Sequence, residues 1–235
     1  MRRLIVLALV AIPIIVLLTL PVAVVLPLAN VPEALDQPRG TIWSGGARWS
    51  QPGHAPLLIE WRWRGGRDWH WQAEDIQTRL SGLWRPGRGV QLADLQGELA
   101  LERVDIEAWL PGSRPRGHLA VDLPAVELVR GQSPRIDGRL VWENARLEGA
   151  LHESLGRIEV RLWSTPERQQ ASIRSLQAAP IQVEGQIEAG VREYELQLWL
   201  TPATGREDLA RELARLGPLD EQGRAHIQLR GGLGW

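Results

Sequence analysis

Ile181-Gln182-Val183-Glu184-Gly185-Gln186-Ile187-Glu188 places Ile181, Val183 and Ile187 on one side of an extended chain and four polar side chains on the other. Alternation with a period of two marks a strand with one buried and one solvated face. Outward from this stretch, Tyr194, Leu196, Leu198 and Leu200 repeat the pattern. So do Ile158/Val160/Leu162, Ile136/Leu140/Trp142, Leu119/Val121/Leu123, Ile59/Trp61/Trp63 and Ile227/Leu229. Pro86-Gly87, Pro111-Gly112, Gly131-Gln132-Ser133-Pro134 and Pro202 punctuate the series. One apolar face per strand implies antiparallel sheet with a single buried side. The strands follow one another too closely for helical crossovers between parallel neighbours. The reading is therefore mainly β: a curved antiparallel sheet, an open β-sandwich or a half-barrel.

One helix interrupts the pattern near the C-terminus. Thr204-Gly205-Arg206-Glu207 has the spacing of a capping box. Leu209, Leu213 and Leu216 then share a helical face, and Gly217-Pro218 ends it. A helix this short is marginal alone and is expected to lie on the sheet.

The first thirty residues read differently. Arg2 and Arg3 precede Leu4–Ala29, which carries no charge. About 20 apolar residues suffice to cross a bilayer, and the prolines at 13, 21 and 27 are better tolerated there than in a soluble helix. The apolar core is too long for a cleaved signal peptide, and its exit offers no small-x-small site. The expectation is an uncleaved transmembrane anchor over 1–30, a linker over 31–39 and an exported β-rich domain over 40–235. The positive-inside rule leaves Arg2 and Arg3 in the cytoplasm and, in a bacterium, the domain in the periplasm.

Composition removes many functions from consideration. All 27 basic residues are Arg, and there is no Cys. Lys-dependent phosphate loops and Schiff bases, thiol nucleophiles, disulfides, thiolate zinc and iron–sulfur clusters are thereby excluded. A net charge of −1 argues against a nucleic-acid partner. The five histidines are isolated, so no metal site is assigned. The adjacent acids Glu74-Asp75, Glu207-Asp208 and Asp220-Glu221 point to opposite faces if extended, and Glu102, Asp105 and Glu107 suit a solvated strand face. No catalytic motif is present, so no catalytic, cofactor or metal residue is assigned and a non-catalytic role is expected.

Phe is absent and Trp numbers 12, seven of them between residues 43 and 84. Trp61 and Trp63, and likewise Trp69 and Trp71, are spaced i and i+2, so each pair shares a strand face. A stacking platform for rings is one use. Trp serving as the large aromatic of a core or partner surface accounts better for the missing Phe, and Trp61, Trp63, Trp69 and Trp71 are the candidate partner or ligand surface.

Gly40-Thr41-Ile42-Trp43-Ser44-Gly45-Gly46-Ala47 resembles the opening motif of the type II secretion system protein N family, Gly-Thr-aliphatic-Trp-x-Gly-x-Ala. Leu92–Leu99 and the run from Thr201 to Pro218 are similar to that family too. Gly40, Thr41, Trp43, Gly45 and Ala47 are the structural motif, the glycines giving tight turns around Trp43. The resemblance implies an inner-membrane accessory component of a machine that exports folded proteins from the periplasm. Its expected partners are other secretion subunits. The alternative is a periplasm-facing carrier of a lipid or other hydrophobic ligand, of AsmA-like type, using the apolar faces of the strands as a trough.

Overall fold

A computed structural model of the protein describes residues 21–22, 34–104, 114–149 and 153–232. Apart from Pro21 and Val22, the expected anchor over 1–30 lies outside the described residues. Among those described, no helix is long and apolar enough to cross a membrane.

The chain divides into two compact units, residues 1–79 and 80–235. The first holds β1 (Leu35–Gly40), β2 (Ser44–Trp49), β3 (Leu57–Gly65) and β4 (Asp68–Glu74). Strand β1 takes up most of the stretch read as a linker. At the start of the second unit come β5 (Arg79–Trp84), β6 (Val90–Ala100), β7 (Arg114–Leu128) and β8 (Arg135–Glu148). These are followed by β9 (Ser154–Ser164), β10 (Gln169–Ser175), β11 (Ile181–Ala189), β12 (Glu193–Pro202), α1 (Glu207–Leu216) and β13 (Ala225–Gly232). Within each unit strand order equals chain order, without a crossover. Every run of alternation named above lies within a strand. Strands β6 to β13 are joined by consecutive antiparallel pairings into one sheet. Among the described residues these strands make a single sheet, so of the three forms expected the open β-sandwich is not the one seen.

Register carries the apolar face from strand to strand, because residues directly opposite each other share a face. One row runs Gly97, Val121, Leu140, Val160, Ile173, Gly185, Leu198, Ile227 across all eight strands from β6 to β13. A neighbouring row runs Leu162, Ala171, Ile187, Leu196, Leu229. Gly185 is the one gap in the alternation of β11, and the structure shows why. A Cβ there would lie 2.6 Å from Leu198 Cδ2, so the glycine makes room for the leucine opposite.

Helix α1 covers this face at the C-terminal end. Leu209 and Leu213 are fully buried with Ile181, Val183, Leu200 and Ala225, while Leu216 remains 37% exposed. The expected capping box is not made. The N-cap is Arg206, without a side-chain cap. Its guanidinium instead binds Asp208 and Glu153, at 2.8 and 2.6 Å. The Arg206 hydrogen bond holds the Asp208 carboxyl down at about 2 against the push of burial, and the helix starts at Glu207.

The opposite face of the sheet is polar, with one buried charge. The Glu159 side chain is 2% exposed. Arg139 Nε reaches its Oε1 at 2.5 Å, and Arg174 grips Oε2 through Nε and Nη2, both at 2.6 Å. Arg161 lies 3.7 Å away. Burial pushes this carboxyl up, but the Arg174 hydrogen bond and the charges of Arg139, Arg174 and Arg161 together outweigh it. The carboxyl is held below its ordinary range.

Two outcomes follow for stability. Leu213→Ala opens a cavity under α1 and is expected to cost about 2–5 kcal/mol in urea unfolding of the full chain. Glu159→Gln leaves three half-exposed guanidiniums to rehydrate, for a loss of about 1–3 kcal/mol at neutral pH. A carboxyl with a lowered folded pKa stabilises above its unfolded pKa and stops doing so as pH falls through the folded one. The wild type and Glu159→Gln should therefore converge in stability below the ordinary carboxylate range. A gap that persists there contradicts this account.

Candidate functional site

The Gly40–Ala47 motif forms the hairpin turn between β1 and β2. Gly40 has φ +81°, and a Cβ on it would lie 2.5 Å from the Ser44 carbonyl oxygen. Thr41 N–H donates to the Ser44 carbonyl at 2.9 Å. Its Oγ1 accepts from the Trp43 and Ser44 backbone N–H groups, at 3.3 and 3.2 Å. Gly45 sits opposite Trp61, where a Cβ would come within 2.8 Å of the indole. Ala47 is buried opposite Ile59. Each motif residue thus has a local steric or hydrogen-bonding reason to be there.

The turn is completed from the far side of the unit. Its three successive carbonyls, of Thr41, Ile42 and Trp43, accept hydrogen bonds from Trp61 Nε1 at 3.2 Å, Trp69 Nε1 at 3.3 Å and Trp63 N at 2.6 Å. Strands β3 and β4 supply these donors in register, Trp61 opposite Trp71 and Trp63 opposite Trp69. The four candidate Trp therefore share one face. Trp43 joins them, stacked on Trp69 at 6.0 Å and tilted against Trp63 at 5.2 Å. Sequence spacing pairs Trp61 with Trp63 and Trp69 with Trp71. It could not show that β3 and β4 bring the two pairs together, nor that the indole N–H groups of Trp61 and Trp69 are spent on the Thr41–Trp43 turn while that of Trp63 donates to the Gly66 carbonyl at 3.2 Å. Trp71 differs from the rest: its Nε1 is buried without an acceptor. Trp63 is the most open of the group, 41% exposed.

The other face of this unit is charged. Arg39 and Gln72 hold the two oxygens of Glu60, at 2.8 and 3.0 Å. Together with Arg62, Arg64 and His70 they line a cleft of about 510 Å³. Arg2 and Arg3, assigned to topology, lie outside the described residues.

The carboxylates considered for chemistry are taken up by local structure. Asp75 Oδ1 accepts from the N–H groups of Gln77 and Thr78, closing the turn after β4. Asp220 does the same for Gln222 and Arg224, and also binds the Arg224 guanidinium at 2.7 Å. The Arg224 N–H, foremost among these contacts, lowers the Asp220 carboxyl against the push of burial. Glu102 lies 3.8 Å from Arg116, and Asp105 and Glu107 lie outside the described residues. Among the described residues, no three His, Asp or Glu are grouped to hold a metal ion.

Strands β12 and β13 carry a feature that pattern reading missed. Glu195 Oε1 accepts from Gln197, Gln228 and Arg230, at 2.8, 2.6 and 3.1 Å. Those hydrogen bonds, Gln197 first, hold its carboxyl down at about 2. The network ties the solvated side chains of the last strand to β12. His226, also on β13, stacks on Trp199 at 5.0 Å.

Only β12 pairs along the whole of β13. On its outer side the His226 N–H donates to the Pro218 carbonyl at 3.0 Å, and Leu219 bridges Ala225. In an antiparallel ladder, alternate residues direct both backbone groups to the same side. Gln228, Arg230 and Gly232 share the parity of His226, so their N–H and C=O groups point outward. Beyond the Pro218 contact, no described segment covers them. An alternating sequence does not reveal which strand ends a sheet, so this edge was not legible beforehand.

No curated protein and no solved structure matches the chain significantly. The family model for protein N of the type II secretion system (T2SS) matches residues 34–228, from the start of the β region into β13. The match takes in the turn motif, β6 and the segment through α1. The chain belongs to the type II secretion system protein N family.

Proposed function

We propose that this secretion component is an inner-membrane accessory and assembly protein without catalytic duty. Residues 1–30 anchor it with Arg2 and Arg3 in the cytoplasm, and the β region faces the periplasm to engage other secretion subunits. The observation that carries this reading is the uncovered outer edge of β13. An exposed row of strand N–H and C=O groups is a template for pairing with a strand of another chain. The edge is also held in shape, because Ala225 is buried under α1 and Arg230 and Gln228 are tied to Glu195.

Gln228→Pro tests this directly. It removes an outward N–H and the Gln228 side-chain bond to Glu195, while leaving the ladder to β12 its donors and Arg230 its bond to Glu195. The variant is expected to accumulate normally in a strain lacking the wild-type chain, but to lose co-purifying secretion subunits and to lower secretion. Normal co-purification would overturn the edge as the contact. A deletion strain that secretes every type II substrate normally would overturn the role itself.

A second reading rests on a different observation. One row of the apolar face of the second unit can be followed over eight strands, with glycine at two of them, and a neighbouring row over five, whereas α1 lies against β12 and β13. Leu140, Val160, Leu162 and Ile187 along those rows are only half-buried. Such a face suits a lipid chain as well as it suits a protein partner. Mass spectrometry of the gently extracted full chain separates the two. A lipid recovered in a fixed ratio supports carriage, and its absence counts against it.

A further inference from the structure

The solvated face of the first unit carries arginine charge that its own acids do not neutralise. Alternation along β3 sets Glu60 and Arg62 on the side away from Trp61 and Trp63. Register places Ser44 and His70 on either side of Arg62, and Gly46 and Gln72 on either side of Glu60. Arg64 is the extra residue where the β3–β4 ladder shifts between Trp63 and Gly65, and such a bulge re-aims a side chain. It lines the same cleft of about 510 Å³ as Ser44, Arg62 and His70. Arg62 and Arg64 are both exposed.

The acids near this cleft are already occupied. Both Glu60 oxygens are held, Oε1 by Arg39 at 2.8 Å and Oε2 by Gln72 at 3.0 Å. Arg39 crosses Gly46 to get there, since a Cβ on that glycine would lie 3.1 Å from its Nε. Asp68, at the hairpin tip with Arg67, has a contact of its own, as Arg67 does. Farther off, Glu74 is bound by Arg79 at 2.6 Å, and Asp36 lies opposite Arg48 and accepts from Ser50. With Arg39 set against Glu60, two guanidiniums remain over the cleft. Neither Arg62 nor Arg64 is paired with an acid among the described residues.

A guanidinium offers a planar fork of N–H donors that matches a carboxylate. A strand advances about 3.3 Å per residue, so two forks two positions apart on β3 are spaced much as alternate side chains of an extended peptide are. We propose that this cleft docks an extended acidic segment of a partner protein, one carboxylate to Arg62 and the next to Arg64. The Ser44 hydroxyl and the His70 ring N–H, in the row of Arg62, are further donors for such a segment. Glu60 is kept from repelling it by Arg39 and Gln72. The inference depends on neither the β13 edge nor the anchor.

The test uses the full chain in neutral detergent and a fluorescein-labelled peptide of alternating threonine and glutamate with two glutamates, followed by anisotropy. Saturable binding is expected, severalfold weaker with Arg62→Glu or Arg64→Glu and unchanged with Arg192→Glu, an exposed arginine of the second unit. Replacing either peptide glutamate by glutamine should also weaken it severalfold. Urea unfolding checks that the variants fold, and Arg62→Gln and Arg64→Gln replace any that do not. Absence of binding, or binding equal in all variants, overturns the inference. An equal loss with Arg192→Glu overturns it too, as an effect of net charge alone. Displacement of the peptide by inorganic phosphate at the peptide's own concentration overturns it in favour of a small-anion site.

Discussion

Every strand in the second unit has to keep its apolar side chains on the same face as its neighbour's, and the remainder of that unit depends on this constraint. With a side-chain period of two, a slip of one residue would turn Ile173 or Leu198 to water and Arg174 or Gln197 inward. Breaks in pairing therefore need local correction. Between β7 and β8 the register shifts at Asp122/Ala125, where Pro124 interrupts the ladder, yet Val126 still meets Ile136 and Val121 still meets Leu140. Gly138 makes the correction possible, since a Cβ there would lie 2.3 Å from the Asp122 carbonyl oxygen. The irregularities in the long strands preserve the face.

The solvated side of the same sheet shows what that constraint costs. Strand β9 places Glu159 where neighbouring strands crowd it out of water, and a lone carboxylate there would be unfavourable. The pairing sets Arg174 directly opposite and Arg139 diagonally across, while Arg161 stands two residues further along β9 itself. Register thus supplies the counter-charges that burial demands. A buried pair of this kind adds less to net stability than to uniqueness. Any slip of β9 against β8 or β10 would strand the charge, so Glu159 penalises the wrong registers.

The strands were legible in the sequence because alternation is local: Ile158/Val160/Leu162 requires no knowledge of what pairs with it. The apolar rows that cross the strands were not, since they exist only once register is known. Nor was the Thr41–Trp43 turn, whose three carbonyls are satisfied by residues about twenty or more positions away in β3 and β4. The motif residues Gly40, Gly45 and Ala47 could be picked out by resemblance, but their use depends on the Trp ladder opposite. The capping box misled for a related reason. Thr204 and Glu207 have the right spacing, but Arg206 has partners within reach in Asp208 and in Glu153, which precedes β9. One of those partners lies 53 positions away, which local spacing does not register.

The two terminal strands of the meander are built for different fates. Strand β1 is short, contains Pro38, and loses register with β2 between Asp36 and Arg39, where Gln37 takes φ +48°. Bulges and prolines are how natural sheets blunt an edge. Strand β13 has neither. Its eight residues pair without a shift along β12, from Gly232 to Ala225. A free last strand would fray, because half its backbone groups have no partner in the sheet. Here α1 pins one face through Leu209, Leu213 and Ala225, while Glu195 ties down the other through Gln228 and Arg230. Both faces are held, and beyond the Pro218 and Leu219 contacts no described segment covers the outward backbone groups. A strand held on both faces has less freedom left to lose when another strand pairs with it, so any association at this edge carries a lower ordering cost.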